Sequence, residues 1–356
     1  MKKAKIGIIG TGGISECHVK GYLADERCEV IAVCDINEKR AANFAEKHGI
    51  PKYYSNYQSM LDSEDLDAVS VCTINNTHAP ISIAALKSGK HVLCEKPMAI
   101  NTIEAIKMKE EADKSKKLLM IGLVRRYGND AAILQDFIKN GYLGDIYYAK
   151  ATYLRRNGCP GGWFSDKEKS GGGPLIDLGV HIIDLVRYLL GSPKAVSVTG
   201  VTFDKLKNRP GIKNPKGYLS VDAGNKFDVE DLAVALIKFD NGAALTVETS
   251  FSLNIKNNLG DIELFGTKSG ARLNPDLELF SEMNGYLVDI APAMDTKLSF
   301  DGLFENEIKH FIDCIVDGVE CVSPAEDGIE AMKIIDAIYK SSETGREVMI
   351  NEEERK

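Results

Sequence analysis

The chain has 356 residues, of which 44% are hydrophobic and 27% charged, and it carries a net charge of -8. That length exceeds one ordinary core and points to about two domains of roughly 100 to 200 residues. The negative balance speaks against nucleic acid or an anionic membrane as the main partner, since both select clustered Lys and Arg. No segment approaches the ~18 uninterrupted apolar residues of a membrane span.

Eight cysteines without a CxxC pair, several inside apolar runs, read as reduced packing residues and suggest a cytoplasmic protein. The N-terminal stretch Lys2 to Gly10 has basic residues before an apolar patch. That patch is short and glycine-broken, so an export signal is not expected.

From the N-terminus, β-branched runs at Lys5-Ile9, Val30-Cys34, Ala68-Cys72, His91-Cys94 and Leu118-Ile121 alternate with helix-like stretches Ile14-Ala24, Lys39-Lys47, Pro80-Lys87 and Ile103-Lys114. Such alternation predicts parallel βαβ units, hence a doubly wound α/β domain over residues 1-123. After the first strand, Gly10, Gly12, Gly13, Ile14 and Ser15 match a GxGxx-small loop opening a helix. Its glycines permit a tight turn and let backbone amides reach a pyrophosphate. Asp35 follows 23 residues after Gly12, at the end of the second strand. An acid there accepts hydrogen bonds from the ribose hydroxyls of NAD and repels the 2'-phosphate of NADP. Lys39 and Arg40 moderate that preference. Two further strand ends face the same crevice, carrying Thr73, Asn75 and His78 after the third run and Glu95-Lys96-Pro97 after the fourth.

Residues 124-356 read as a second, α+β domain. A helix at Asp130-Lys139 ends at Asn140-Gly141, and a strand-like run Ile146-Tyr153 follows. Extended runs Val196-Phe203, Leu232-Phe239, Ala243-Phe251 and Asp261-Phe265, with a hairpin signal at Asp240-Asn241-Gly242, predict an open, mostly antiparallel sheet. Helices at Phe304-Val316 and Ala325-Ser341 close the chain and are candidates to pack back on the first domain. Lys205-Lys226 reads as a surface excursion. Helix cover on one side of the sheet would leave the other face for a homodimer or homotetramer contact.

Before that sheet stands Gly171-Gly172-Gly173-Pro174, followed by Asp177, His181 and Asp184 at i, i+4 and i+7. On a helix these share a face, beside backbone that could approach a ligand, an arrangement suited to proton transfer. A lone helical His is more often structural. A metal held by the three residues is the weaker alternative, so no metal is expected.

These motifs together resemble the Gfo/Idh/MocA family of NAD(P)-dependent oxidoreductases, and the likeness runs almost end to end. It rests on the glycine loop, on Thr73, Asn75 and His78, on Glu95-Lys96-Pro97, on Gly171 to Asp184, and on Asp327-Gly328 to Val348. Ile74 departs from the family, which usually has Pro there. The resemblance implies a Rossmann domain and an α/β domain, catalysis by Lys96, Asp177 and His181, and a cis Lys96-Pro97 bond.

The implied reaction moves hydride between a secondary alcohol of a sugar, sugar derivative or cyclitol and NAD. His181, with an ordinary imidazole value of about 6.5, serves as base or acid. Lys96 stabilises charge on oxygen, and Asp177 orients the substrate hydroxyl or the imidazole. A polar pocket for hydroxyl groups draws on Arg125, Tyr127, Arg155, Arg156, Trp163, Asp177 and His181. Trp163 fits either a carbohydrate lid or a plain loop anchor, and Arg155 or Arg156 would suit an acidic substrate. The rival readings are an NAD-dependent glycosidase of the same fold and a non-catalytic dinucleotide-binding regulator. Replacing Asp35 by Ala is expected to weaken NAD binding more than NADP binding in a fluorescence titration; equal losses would contradict the selectivity assigned to it.

Overall fold

Apolar runs too short for helices, each followed by an amphipathic stretch, build the first unit as a parallel sheet wrapped on both faces. In chain order its elements are β1 (Ala4–Ile9), α1 (Ser15–Ala24), β2 (Cys28–Cys34), α2 (Glu38–His48), β3 (Lys52–Tyr54), α3 (Tyr57–Ser63), β4 (Ala68–Val71), α4 (Asn75–Lys87), β5 (His91–Glu95), α5 (Thr102–Ser115) and β6 (Leu119–Gly122). The strands lie in the order β3-β2-β1-β4-β5-β6, every neighbouring pair parallel. Residues of β4 and β6 are buried throughout, as a sheet covered on both faces requires. Asn37, Asn56 and Asn101 cap α2, α3 and α5 by accepting from the amides of Arg40, Ser59 and Glu104.

The computed structural model describes residues 3–207, 209, 212, 220, 226–274, 276–297 and 299–350. Two units emerge, Met1–Tyr127 with Leu298–Ile329 and Gly128–Lys297 with Glu330–Lys356. Two elements of the first unit are absent from the sequence reading: β3, a short and largely exposed edge strand, and α3, of only seven residues. Helix α4 also begins at Asn75, ahead of the expected Pro80. Pro80 sits exposed in its second turn and forgoes one intrahelical bond there.

The second unit contains α6 (Asn129–Lys139), β7 (Ile146–Leu154), α7 (Lys167–Ser170), a π turn at Leu175–Gly179 and α8 (Val180–Leu189). There follow β8 (Ala195–Phe203), β9 (Leu232–Phe239), β10 (Ala244–Ser250), β11 (Leu259–Gly266), β12 (Ser269–Arg272), β13 (Glu278–Met283), β14 (Tyr286–Ile290) and, near the chain end, β15 (Val348–Met349). They form one sheet, β14-β13-β12-β11-β7-β10-β9-β8-β15, in which only β7 and β10 pair in parallel. The β9–β10 hairpin turns at Gly242, whose φ of 86° suits glycine.

Alternation along these strands separates two faces. Ala149, Ala151, Ala235, Ile237, Leu245 and Val247 point into the core, while Lys150, Leu236 and Glu248 point out. Most of Lys205-Lys226 lies outside the described residues.

Helix α9 (Phe300–Ile312) belongs to the first unit and packs on α1, and α10 (Ala325–Thr344) runs from the first unit into the second. At the α1–α9 contact a Cβ on Gly21 would lie 2.8 Å from side-chain carbons of Ile308, which is itself fully buried. Gly21→Val should therefore lower stability by about 1–3 kcal/mol through overpacking, read as an earlier thermal transition by circular dichroism; an unchanged transition would show that the contact is loose.

Candidate active site

At the carboxyl end of β1 the chain turns through Gly10, with φ of 92° and no room for a side chain against the carbonyl of Cys72. Gly12, by contrast, faces open space: a Cβ there would meet no atom within 4 Å. Ser15 is fully buried and donates its hydroxyl to the Gly12 carbonyl at 2.6 Å, so the small residue ties loop to helix. The loop thus leaves free backbone ahead of the α1 N-terminus, which is what a pyrophosphate needs.

Asp35 follows β2 and is buried. Its Oδ2 accepts from the amide and hydroxyl of Thr11 at 3.0 Å each, and its Oδ1 accepts from the Asn37 amide at 2.9 Å. Arg40 adds a two-pronged contact, Nε to Oδ2 at 2.9 Å and Nη2 to Oδ1 at 2.8 Å. Burial alone would raise this carboxyl, but Arg40 and the two amides hold it below the usual carboxylate range. Arg40 is thereby a clamp on Asp35, a role its sequence position did not disclose.

Thr73 and Asn75 lie where β4 passes into α4. His78, in the first turns of α4, is wholly enclosed, its Nδ1 2.7 Å from the Pro97 carbonyl and its Nε2 3.1 Å from the Thr73 carbonyl. Burial lowers its pKa, which favours the neutral ring. A neutral ring donates to one of the two carbonyls, and with no exposed surface the His78 side chain supports these loops, where direct cofactor contact was expected.

Glu95 ends β5. It is buried, with Oε1 2.8 Å from His18 Nε2 and Oε2 accepting from the Lys96 amide at 3.1 Å. His18 Nδ1 in turn meets Ser70 Oγ at 3.1 Å. Despite burial, His18 and Lys96 hold the Glu95 carboxyl low. Glu307 on α9 is enclosed beside this group without a hydrogen bond to either oxygen; burial and the Glu95 charge push its carboxyl well up. The Lys96-Pro97 peptide is cis, as the resemblance implied, and Lys96 itself is half-buried.

In the second unit the glycine run has a different purpose from the one its composition suggested. A side chain at Gly172 would overlap the Tyr339 hydroxyl, and one at Gly173 would overlap the Glu230 carbonyl. The close approach is thus to α10 and to the segment before β9, not to a ligand. Glu230 then bridges the run to the π turn: Oε2 accepts from the Gly173 amide at 3.0 Å, and Oε1 from the Leu175 amide at 3.1 Å and the Tyr339 hydroxyl at 2.9 Å. Burial nevertheless raises its pKa.

Asp177 lies within the π turn, whose hydrogen bonds close over five residues rather than four. Its exposure is 8%. Helix α8 is buried on nearly every side, and His181 and Tyr188 are its half-buried positions. Asp184 does not join them: at 1% exposure it faces the core with Arg187, which donates to the Pro193 carbonyl at 3.0 Å. The three acids and bases expected on one open face therefore reduce to Asp177 and His181.

Among the remaining candidates, Arg155 donates to the Gly158 carbonyl at 2.9 Å and lies over the Tyr153 ring, bracing its own loop. Arg156 is exposed and reaches the Lys256 carbonyl. Trp163 stacks on Phe164 with ring centroids 3.8 Å apart. Arg125 is half-buried after β6. Tyr127 is half-buried, with its hydroxyl 2.9 Å from Ser323 Oγ and its ring against His310. Glu230, Tyr339, His18 and Glu307 were not singled out from sequence; an acidic Glu230-Asp231 pair at the start of an apolar strand was the one available signal.

The sequence profile described as "Oxidoreductase family, NAD-binding Rossmann fold" (GFO_IDH_MocA) matches residues 4–123, and that of its C-terminal alpha/beta domain matches residues 135–350. The chain belongs to the Gfo/Idh/MocA oxidoreductase family. This family member is 35% identical over 347 residues to D-glucoside 3-dehydrogenase of Escherichia coli (strain K12), covering 97% of each chain. It is 29% identical to myo-inositol 2-dehydrogenase of Thermotoga maritima, over 98% of this chain and 99% of that one. Levoglucosan dehydrogenase in complex with NADH and levoglucosan superposes with a TM-score of 0.85 at 25% identity, over 99% and 100% of the two chains. The protein is therefore an NAD-dependent oxidoreductase with sugar and inositol dehydrogenases as homologues.

Glu230→Gln retains an acceptor for one amide but turns an NH2 group toward the other. It should reduce kcat by tenfold or more while leaving NAD affinity within about twofold, since a misplaced group near the chemistry costs on the order of 10²-fold; equal losses in kcat and NAD affinity would point to global unfolding instead.

Proposed function

We propose that this family member oxidises a secondary alcohol of a sugar, sugar derivative or cyclitol, with His181 as general base and Lys96 stabilising the alcohol oxygen. The observation that carries the reading is the π turn. Glu230 holds the first residue of the turn by the Leu175 amide and the preceding glycine run by the Gly173 amide, and the turn carries Asp177 four residues before His181, the half-buried position at the start of an otherwise buried helix. The relation to D-glucoside 3-dehydrogenase, a name that specifies position 3 of a D-glucoside, supports a glycoside as the first substrate to test.

The residues on the first unit fit a dinucleotide: open backbone at Gly12, the α1 N-terminus and the clamped Asp35 carboxylate would hold the pyrophosphate and the adenosine ribose. NAD, when bound, supplies the two-electron acceptor. An alcohol holds its proton too tightly for water to remove it efficiently near neutral pH, so His181 takes it at a ring nitrogen. Lys96, as ammonium, stabilises the negative charge developing on oxygen. Asp177 accepts a hydrogen bond from a neighbouring hydroxyl and so fixes which carbon reacts. In the reducing direction His181 returns the proton.

The outward sheet face, with Leu236 and Tyr148 among polar neighbours, fits self-association into a dimer or tetramer.

A panel of glycosides, aldoses, aldonic acids and inositols, each incubated with NAD and followed at the NADH absorbance, tests the substrate class. At least one glycoside or cyclitol should give NADH, and His181→Ala should reduce that rate by about 10²–10⁴ with its fold intact. A fall smaller than tenfold would remove the base role, and glycoside cleavage without net NADH would replace oxidation by NAD-dependent hydrolysis.

A further inference from the structure

A second reactive cluster lies in the first unit, among residues that the proposed reaction does not use. Helix α9 passes through a π turn at Asp313–Asp317, reverses at Gly318 with φ of 71°, and returns through Cys321. This return places His310 Nε2, Cys314 Sγ and Cys321 Sγ within 4.8 Å of one another, all three residues half-buried. Cys314 Sγ is 3.4 Å from His310 Nε2, which also accepts the Val322 amide at 2.9 Å. Nε2 is therefore an acceptor, and the imidazole proton is assigned to Nδ1.

We propose that Cys314 and Cys321 form a reversible disulfide by exchange with a small disulfide of the glutathione class. Geometry separates this pair from the other cysteines. Cys17, Cys28, Cys34, Cys72 and Cys94 are buried, and Cys159, half-buried, lies in the other unit. Chemistry points the same way: the hydrogen bond from Cys321 lowers the Cys314 thiol, whereas burial raises Cys17 and Cys159 to about 11 and Cys28, Cys34 and Cys94 to about 12. Cys314, whose sulfur also lies 3.4 Å from His310 Nε2, is the attacking sulfur in this proposal and Cys321 the resolving one. A soft metal ion would also suit two thiols and an imidazole, but the lone pair of Nε2 is already committed to the Val322 amide.

In the first step the Cys314 thiolate attacks one sulfur of glutathione disulfide, whose S–S bond breaks and releases one glutathione thiolate. Cys321 then loses its proton and attacks the Cys314 sulfur, expelling the second glutathione. Two electrons pass from the protein to glutathione, and the two protons end on the released thiols. The sulfurs must close to about 2.05 Å, which draws on Cys321 and so on its neighbours. Those neighbours hold the end of β6: the Val322 carbonyl accepts from Arg126 at 2.6 Å, the Ser323 carbonyl from the Ile121 amide at 3.0 Å, and the Ser323 hydroxyl meets Tyr127. Oxidation therefore acts on the segment that carries Arg125.

The test equilibrates the full chain with graded ratios of oxidised to reduced glutathione, traps free thiols with iodoacetamide and maps the peptides by mass spectrometry. The expected result is a Cys314–Cys321 linked peptide and two fewer alkylated sulfurs than the eight cysteines present, restored in full by dithiothreitol. Cys321→Ser should stop at a glutathione adduct on Cys314, and Cys314→Ser should give neither product. Alkylation of both sulfurs at the most oxidising ratio, or linkage through a different pair, would overturn the proposal. So would stoichiometric zinc that protects both thiols until a mercurial releases it, because that result makes the cluster a metal site.

Discussion

Buried carboxylates that spend their oxygens on backbone amides hold this protein's functional loops in place. The same bond recurs in both units. Asp35 takes the amides of Thr11 and Asn37, and Glu230 takes those of Gly173 and Leu175. Functional side chains here lie where regular structure stops, so their backbone amides lack the ladder partners of a strand or helix. A charged acceptor in a buried setting supplies about 1.5–3 kcal/mol per hydrogen bond. It also leaves the loop with one favourable arrangement rather than several.

The two carboxylates differ in what balances their burial. Asp35 has Arg40 across both oxygens, and its pKa falls. Glu230 has only neutral donors, and its pKa rises. At Glu95 and Glu307 the contrast is sharper: His18 and Lys96 hold the Glu95 carboxyl low, whereas burial and the Glu95 charge push the Glu307 carboxyl well up. The direction of each shift thus follows from which partners reach the carboxyl as well as from its burial.

Much of this was legible in the sequence, and the losses have identifiable causes. The parallel sheet was readable because its strands are β-branched and punctuated by helices of ordinary length, and the β9–β10 hairpin because Asp240-Asn241-Gly242 is a turn by composition alone. The place of Asp35, after β2 and against Thr11 of the glycine loop, was readable from its distance to that loop. What periodicity could not carry was long-range partnership. Glu230 reaches Gly173 across 57 residues, and Tyr339 reaches Glu230 across 109. Helical spacing also misjudged Asp184, because a helix buried on nearly every side has no single polar face to reveal. Gly172 and Gly173 were recognised as special for the wrong reason: close approach was inferred correctly, but the approaching partner is protein.

On the proposed reaction this family member moves hydrogen from a sugar carbon directly onto NAD while His181 takes the hydroxyl proton. Direct transfer is tested by incubating the protein with NAD and a glycoside deuterated at the carbon to be oxidised, then weighing the reduced dinucleotide by mass spectrometry. The account predicts one deuterium per NADH formed, with the glycosidic bond intact and a ketone on the sugar. Unlabelled NADH, or a cleaved glycoside with no labelled NADH, would contradict it.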